Sequence, residues 1–337
     1  MLNSRIGAIA SHLPDQLLDN EELALLFPDW PAQKILDKTG VASRHIAADG
    51  ETAADLAFHA ARKLFDSGAV QPTDIDFILL CTQAPDHVLP TTACMLQHRL
   101  GLRTDIGALD FNLGCSGFVY GLSLARGLIG TGAARRVLLL TADTYSKYIH
   151  PKDKSVRTIF GDAAAATLVE ASDGAAAIGP FVFGTDGSGA GNLIVPAGGF
   201  RRPLDASAMQ ETADGSGNVR RAADLYMNGP EVMSFSLQRV PRAVDELLER
   251  SGWQRDEVDH FVFHQANRFM LETLRKKMKI DAGRMPVFME NCGNTVSSTI
   301  PLVLEHLRNT GSIHTGQKLV LMGFGVGYSW AGAAMVA

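Results

Sequence analysis

The stretch Leu109-Asp110-Phe111-Asn112-Leu113-Gly114-Cys115-Ser116-Gly117-Phe118-Val119-Tyr120 decides how this chain is read. A short apolar run, Ile106 to Phe111, meets a glycine-flanked cysteine. An apolar pattern at helical spacing then follows from Gly117 to Ile129. That order predicts strand, tight turn and helix, with Cys115 at or just before the first helical turn. Unpaired N–H groups and the positive dipole end of a helix start favour a thiolate there. Gly114 and Gly117, without side chains, leave room for a carbonyl to approach the sulfur. Taken alone, the same stretch is better read as a small buried cysteine packed at a helix start, and the motifs further along reverse that preference.

The rest of the composition narrows the options. A chain of 337 residues holds one large domain or two ordinary ones, and 46% apolar with 20% charged residues is globular. A net charge of −5 without like-charge runs gives no general affinity for nucleic acid. Cys81, Cys94, Cys115 and Cys292 lack the spacing of a zinc site or a disulfide framework, which fits free thiols in a reducing compartment and no metal. The start Met1-Leu2-Asn3-Ser4-Arg5-Ile6 has no signal-peptide character, and no uncharged apolar run would span a bilayer. The expectation is a cytoplasmic protein without a membrane or nucleic-acid partner.

Taken in order, the chain predicts a strand over 5–10, then a short helix from Glu21 to Leu26 capped by Asn20. Thr52 opens a long helix to Ala69, and Ile75 to Leu80 reads as a strand buried on both faces. Thr91 to Leu100 is helical, and strands follow at Arg136–Leu140 and Ala163–Val169. The second half repeats this order. A helix from Glu231 to Arg250 ends at Ser251-Gly252 as the first ends at Ser67-Gly68. The strand at 258–264 matches 75–81 at an offset of 183, and Lys318–Met322 matches Arg136–Leu140 at 182. The same offset sets Cys115 opposite Ser297 or Ser298. Two copies of one βαβ-rich unit are expected, with parallel-type sheets, joined by the Gly/Asp/Ala-rich stretch around 184–222.

Three further motifs fall at corresponding strand or helix ends: Phe263-His264-Gln265-Ala266-Asn267, Asn291-Cys292-Gly293-Asn294-Thr295, and Gly323-Phe324-Gly325-Val326-Gly327, read as a glycine-rich loop after the last strand. Singly, His264 is as readily a hydrogen-bonded strand-end histidine and Asn294 a helix cap. The glycine loop lacks the spacing of a dinucleotide fingerprint.

Together they resemble the β-ketoacyl-acyl-carrier-protein synthase III family of the thiolase superfamily over essentially the whole chain. The matching stretches are D-K-T-G-V-A-S-R-H (37–45), G-C-S-G (114–117), F-G-D-A-A-A-A (160–166), H-Q-A-N (264–267), G-N-T-V-S-S (293–298) and G-F-G-V-G-Y-S-W (323–330). The resemblance implies an α/β fold, a thiolase-like five-layered αβαβα sandwich of two duplicated halves. These halves are set at 1–175, carrying the cysteine, and 176–337, carrying the histidine and asparagine. It implies a Cys115, His264, Asn294 triad, a homodimer joined through the N-terminal halves, and no cofactor beyond its substrates, acyl-CoA or acyl-carrier protein and malonyl-carrier protein.

In the implied reaction Cys115 takes an acyl group from a thioester, with the backbone N–H groups of Cys115 and Val326 as oxyanion hole. Loss of CO2 from the malonyl thioester gives an enolate held by His264 and Asn294, and condensation yields a 3-oxoacyl product of the kind that starts fatty-acid biosynthesis. Leu89 and Phe324 are the implied acyl-pocket residues. Leu89 stands where the family has a bulky phenylalanine, which points to a primer longer than acetyl. It is not the acidic residue of the related head-to-head condensing enzymes. The family's aromatic residue that stacks on the coenzyme A adenine has lysines at its expected place, Lys34 and Lys38, which points to a carrier protein as acyl donor. Arg268, Arg275, Lys276, Lys277 and Lys279 form a basic group after His264, either a docking face for an acidic carrier protein or a solvated helix face. Phe160-Gly161-Asp162 reads as a structural turn. The alternative function is a relative that passes the acyl group from Cys115 to an oxygen or nitrogen acceptor; a non-catalytic relative is disfavoured by the intact triad.

Overall fold

A computed structural model describes residues 2–174 and 177–337. The chain opens on β1 (Asn3–His12), followed by a small excursion: β2 (Gln16–Asp19), α1 (Asn20–Leu26), α2 (Ala32–Thr39) and β3 (Ser43–Ile46). The cap of α1 is Asp19, not Asn20. The Asp19 carboxylate accepts from Glu22 N–H while Glu22 reaches back to Asp19 N–H, a reciprocal capping box. Asn20 turns inward instead, donating to the Val41 carbonyl at 2.8 Å and accepting from the buried Arg44 guanidinium at 2.8 Å.

The main frame of the first half is α3 (Ala53–Asp66), β4 (Phe77–Cys81), α4 (Thr92–Arg99), β5 (Gly107–Phe111), α5 (Gly117–Gly130), β6 (Arg136–Asp143), the single turn α6 (Lys154–Arg157) and β7 (Ala163–Ser172). Its sheet has the order β1-β7-β6-β4-β5. Beyond it come β8 (Ala177–Thr185), the two-residue strands β9 (Leu193–Ile194), β10 (Thr212–Ala213), β11 (Val219–Arg220) and β12 (Tyr226–Met227), and then α7 (Gly229–Ser251). The second half continues through β13 (His260–Phe263), α8 (Arg268–Met278), α9 (Thr299–Asn309), β14 (Lys318–Gly325) and β15 (Ser329–Val336), with the sheet order β13-β14-β15-β8.

The four strands of the second sheet repeat four of the first. β4 and β6 run parallel while β7 is antiparallel to both β6 and β1. Likewise β13 and β14 run parallel while β15 is antiparallel to both β14 and β8. The sheets are therefore mixed rather than parallel. In the second sheet β14 reaches its antiparallel neighbour β15 through a tight turn at 326–328, whereas in the first β6 and β7 are joined by the longer segment 144–162.

Helices α5 and α9 start 182 residues apart and pack between the sheets, over a core that includes Phe118, Leu122, Ile300 and Leu304. Helices α3 and α4 cover the outer face of the first sheet, and α7 with α8 lies over the second. The result is the αβαβα sandwich. The first sheet has a fifth strand, β5, that the second lacks. At the matching edge the Gln265 carboxamide bonds Phe288 N–H at 2.8 Å and the Pro286 carbonyl at 3.4 Å, taking the place of a strand ladder.

Two expectations are corrected. The 184–222 stretch does not join the halves; it follows β8, the first strand of the second sheet, as the 13–52 excursion follows β1. Gly323, Phe324 and Gly325 belong to β14, and a further strand follows them, so the turn is confined to the residues after Gly325. The boundary placed between 175 and 176 lies outside the described residues. Among the described residues no helix is long and apolar enough to cross a membrane.

Candidate active site

Cys115 stands where β5 turns into α5, as the spacing predicts. Its sulfur is nearly enclosed, the residue being 4% exposed. The neighbouring glycines serve the protein's own packing rather than an incoming carbonyl. A Cβ at Gly114 would lie 2.6 Å from Gln83 Oε1 and 2.7 Å from Val326 Cγ1, and one at Gly117 would lie 2.2 Å from Cys81 Sγ. The opening to Cys115 comes from the far half, where a Cβ at Gly325 would sit 2.8 Å from the sulfur.

Burial pushes the Cys115 thiol up to about 12, against the opposing pull of the Val326 and Cys115 backbone N–H groups. The thiolate expected from the helix start alone is therefore outweighed by desolvation, and the resting group is a thiol. The same two N–H groups are the pair expected to hold an oxyanion.

His264 follows β13 directly, its N–H bonded to the Met322 carbonyl of β14 at 2.8 Å. The ring is 2% exposed and edge-on to Phe324, with centroids 5.7 Å apart and planes at 88°. Burial lowers its pKa to about 3, with the Val296 carbonyl opposing, so the imidazole is neutral. Its Nδ1 lies 2.8 Å from Thr299 Oγ1.

Asn294 is held at both ends of its peptide unit, N–H to the Ile159 carbonyl at 2.9 Å and C=O to Gly161 N–H at 3.0 Å. Its Oδ1 accepts from Val296 N–H at 2.9 Å and its Nδ2 donates to the Ala266 carbonyl at 3.3 Å. It is not the cap of α9, which Ser298 precedes.

Cys115, His264, Asn294, Phe324 and Gly325 line one cavity of about 40 Å³. This cavity shares Ile159, Met227, Asn267 and Met270 with an outer groove of about 700 Å³. Through Leu193 it adjoins a third cavity of about 520 Å³, lined by Gln83, Tyr145, Tyr148, Leu225 and Val326. The residues singled out in sequence for chemistry are thus gathered by both halves at the floor of a groove.

Other expected site residues lie elsewhere. Leu89 is 78% exposed in a loop and lines none of these cavities. Of the basic group, Arg268 is 2.9 Å from Glu290, and Arg275 is bonded to Glu272 and the Ile280 carbonyl. Lys276 and Lys277 are exposed and line neither groove nor cavity.

Sequence reading missed four features. Trp30, one helical turn before Lys34, lines the outer groove, with the Lys34 and Lys38 ammonium groups 5.3 and 5.6 Å from its ring centroid. An aromatic four residues before Lys34 rather than before Lys38 was the available signal. Asp143, at the end of β6, is fully buried beneath the site. It accepts from Gln83 N–H at 2.9 Å and from Ser297 N–H and Oγ, and burial raises its pKa to about 7. Val296, a β-branched residue, adopts φ +56°, and Thr299 contacts the imidazole; no sequence signal marks either. Among the described residues no group of three or more His, Cys, Asp or Glu side chains is placed to hold a metal.

Comparison with known proteins agrees with this geometry. Residues 109–187 match the family 3-oxoacyl-[acyl-carrier-protein (ACP)] synthase III, and residues 248–336 match the family of its C-terminal region. A beta-ketoacyl-[acyl-carrier-protein] synthase III 3 of Streptomyces coelicolor is 35% identical over 98% of this chain and 96% of its own length. A crystal structure described as 3-oxoacyl-(acyl-carrier-protein) synthase III superposes with TM-score 0.98 at 64% identity, covering 99% of this chain and all of the other. One of a 3-oxoacyl-(acyl-carrier protein) synthase from Burkholderia xenovorans LB400 gives 0.91 at 41% identity, covering 99% and 94%. With full-length identity above 30% and both sheets of the frame reproduced, this chain belongs to the 3-oxoacyl-[acyl-carrier-protein] synthase III family.

Proposed function

We propose that this chain is an acyltransferase that loads an acyl group onto Cys115 and then condenses it, with loss of CO2, onto a malonyl thioester. The observation that carries the reading is the convergence of one sulfur, one neutral imidazole and one carboxamide on a single cavity beneath a groove. Cys115 sulfur attacks the thioester carbonyl, the developing oxyanion meets the N–H groups of Cys115 and Val326, and the departing group ends as a thiol. Because the resting group is a thiol, its proton must move as the bond forms. The malonyl C–C bond to the carboxylate then breaks, and its electron pair passes to an enolate. A neutral His264 and the Asn294 amide supply donors there without a strong base. Enolate attack on the acyl-cysteine forms the new C–C bond, and the freed sulfur regains a proton from solvent.

The 520 Å³ cavity past Leu193 is the proposed acyl chamber, with Phe324 closing the reaction side. The outer groove is sized for a pantetheine arm, and Trp30 with its two lysines suits the phosphates and adenine of coenzyme A, so either donor fits. Lys276 and Lys277, with Arg268 nearer the groove, remain the proposed docking face for an acidic carrier protein. β5 is an unpaired sheet edge with Leu109 46% exposed, and Val88 and Leu89 protrude from the same half. That edge supports a homodimer through the N-terminal halves, since such edges are rarely left open.

Incubation with acyl-CoA and acyl-carrier protein donors, then malonyl-carrier protein, tests the reading: acylation of Cys115 followed by CO2 release supports it. Acylation without CO2 release, but with transfer to an alcohol or amine, would favour the alternative acyltransferase. Leu109→Glu should shift a dimer towards monomer in light scattering if β5 forms the interface.

A further inference from the structure

Both proposed enolate donors are fixed by one short segment. Val296 N–H holds the Asn294 carboxamide by its oxygen, leaving Nδ2 as the donating end. The Val296 carbonyl faces Thr299 Oγ1 at 3.1 Å and also bears on the His264 ring. Val296 reaches both only because it sits at φ +56°, a conformation that costs a β-branched residue about 1–3 kcal/mol. Asp143 secures the strained turn from the other half through Ser297 N–H and Oγ.

Thr299 Oγ1 thus stands between two partners with a single proton to give, the Val296 carbonyl at 3.1 Å and His264 Nδ1 at 2.8 Å. The two settings are chemically distinct. When the hydroxyl donates to the carbonyl, it must accept from Nδ1–H, and Nε2 carries a bare lone pair. When it donates to Nδ1, the ring proton sits on Nε2, which becomes a donor. We propose that Thr299 is a positioning residue that sets which nitrogen of His264 is protonated, allowing one neutral imidazole to accept while Cys115 is loaded and to donate to the enolate during decarboxylation. The proton count is unchanged: Nε2 takes the Cys115 thiol proton, Nδ1 gives its proton to solvent as the Thr299 hydroxyl turns to donate to it, and the departing thiolate takes a proton from solvent. This inference rests on the condensing reaction proposed above.

Thr299→Val keeps the shape and removes the relay. Nδ1–H then has only the Val296 carbonyl, an acceptor, and the ring is locked with Nε2 unprotonated. Decarboxylation of malonyl-carrier protein should fall about 100-fold, the loss typical of a missing oxyanion donor, while acyl loading of Cys115 falls far less. Thr299→Ser should restore the ratio, and 15N spectra of His264 should show the Nε2–H form diminished in the valine variant. Thr299→Ala serves as the hydroxyl-free variant if the valine protein does not fold. Equal losses of loading and decarboxylation, or an unchanged 15N tautomer pattern, would overturn the proposal while leaving the condensing reaction intact. Failure of the unsubstituted enzyme to acylate Cys115 would instead sink the reading on which it rests.

Discussion

The ends of α5 and α9 are the same piece of architecture used in two ways. Each helix starts between the sheets, 182 residues apart, and each faces the last residue of an eight-residue central strand, β6 or β14. At α9 the position matching Cys115 is Ser297, and its hydroxyl is bonded to the buried carboxyl of Asp143. At α5 the position matching Asp143 is Gly325, where a side chain would press on Cys115, a Cβ lying 2.8 Å from the sulfur. One start is thus tied shut by a side chain and the other opened by the absence of one. The duplicated frame repeats the strand-end and helix-start geometry twice, and the two copies differ at both paired positions, Cys115 against Ser297 and Gly325 against Asp143. The closed copy keeps a task, since Ser297 and Asp143 secure the turn that aims Asn294 and His264 at the open one.

Substitutions at these paired positions break the comparison to different degrees. Cys115→Ala removes the acceptor of the acyl group, so acyl loading, followed by intact mass, should be lost completely. Gly325→Ala closes the open end. With the new Cβ only 2.8 Å from the sulfur, loading should fall about 100-fold with the fold retained by circular dichroism, the penalty typical of misplacing a reacting group by about an ångström.

Desolvation of the open end makes a smaller and graded prediction. The folded-state pKa of Cys115 lies above the ordinary thiol value, so its thiolate fraction at neutral pH is small and increases with pH up to about 12. Iodoacetamide labelling of Cys115 in a Cys94→Ser background should accelerate about tenfold per pH unit from pH 7 to 9. His264, held near 3, should contribute no inflection around pH 6.5. Smallest of all, Ser297→Ala should leave Cys115 loading measurable and lower stability by about 1–3 kcal/mol in urea unfolding, since it strips a buried carboxyl of its hydroxyl partner. Loss of loading as complete as that of Cys115→Ala would mean that the two helix starts are not divided in this way.

The sequence carried the frame because apolar periodicity and a constant offset are local, additive signals. Strands β4, β6, β13 and β14 and helices α3 and α7 were legible for that reason. Strand direction was not, since apolar periodicity reads the same along either direction, and the 326–328 turn was hidden in a run read wholly as a glycine loop. The proposed triad was named from motif resemblance, and its three residues line one cavity. Asn20 was misread as a cap because its partner, Arg44, is distant in sequence and buried in the fold. Leu89 was named for the acyl pocket from family resemblance alone, and it lies exposed, apart from the cavity that Cys115 lines. Thr299, Val296 and Asp143 act through geometry that only folding creates, so their residue types gave no warning.

The central claim, a covalent acyl group on the sulfur that opens towards Gly325, is tested most directly by intact-protein mass spectrometry with peptide mapping after exposure to an acyl thioester. The account predicts one acyl mass per chain, on the peptide containing Cys115 and absent from Cys115→Ala. An unmodified chain, or an acyl group on Cys94, Cys81 or Cys292 instead, would contradict it.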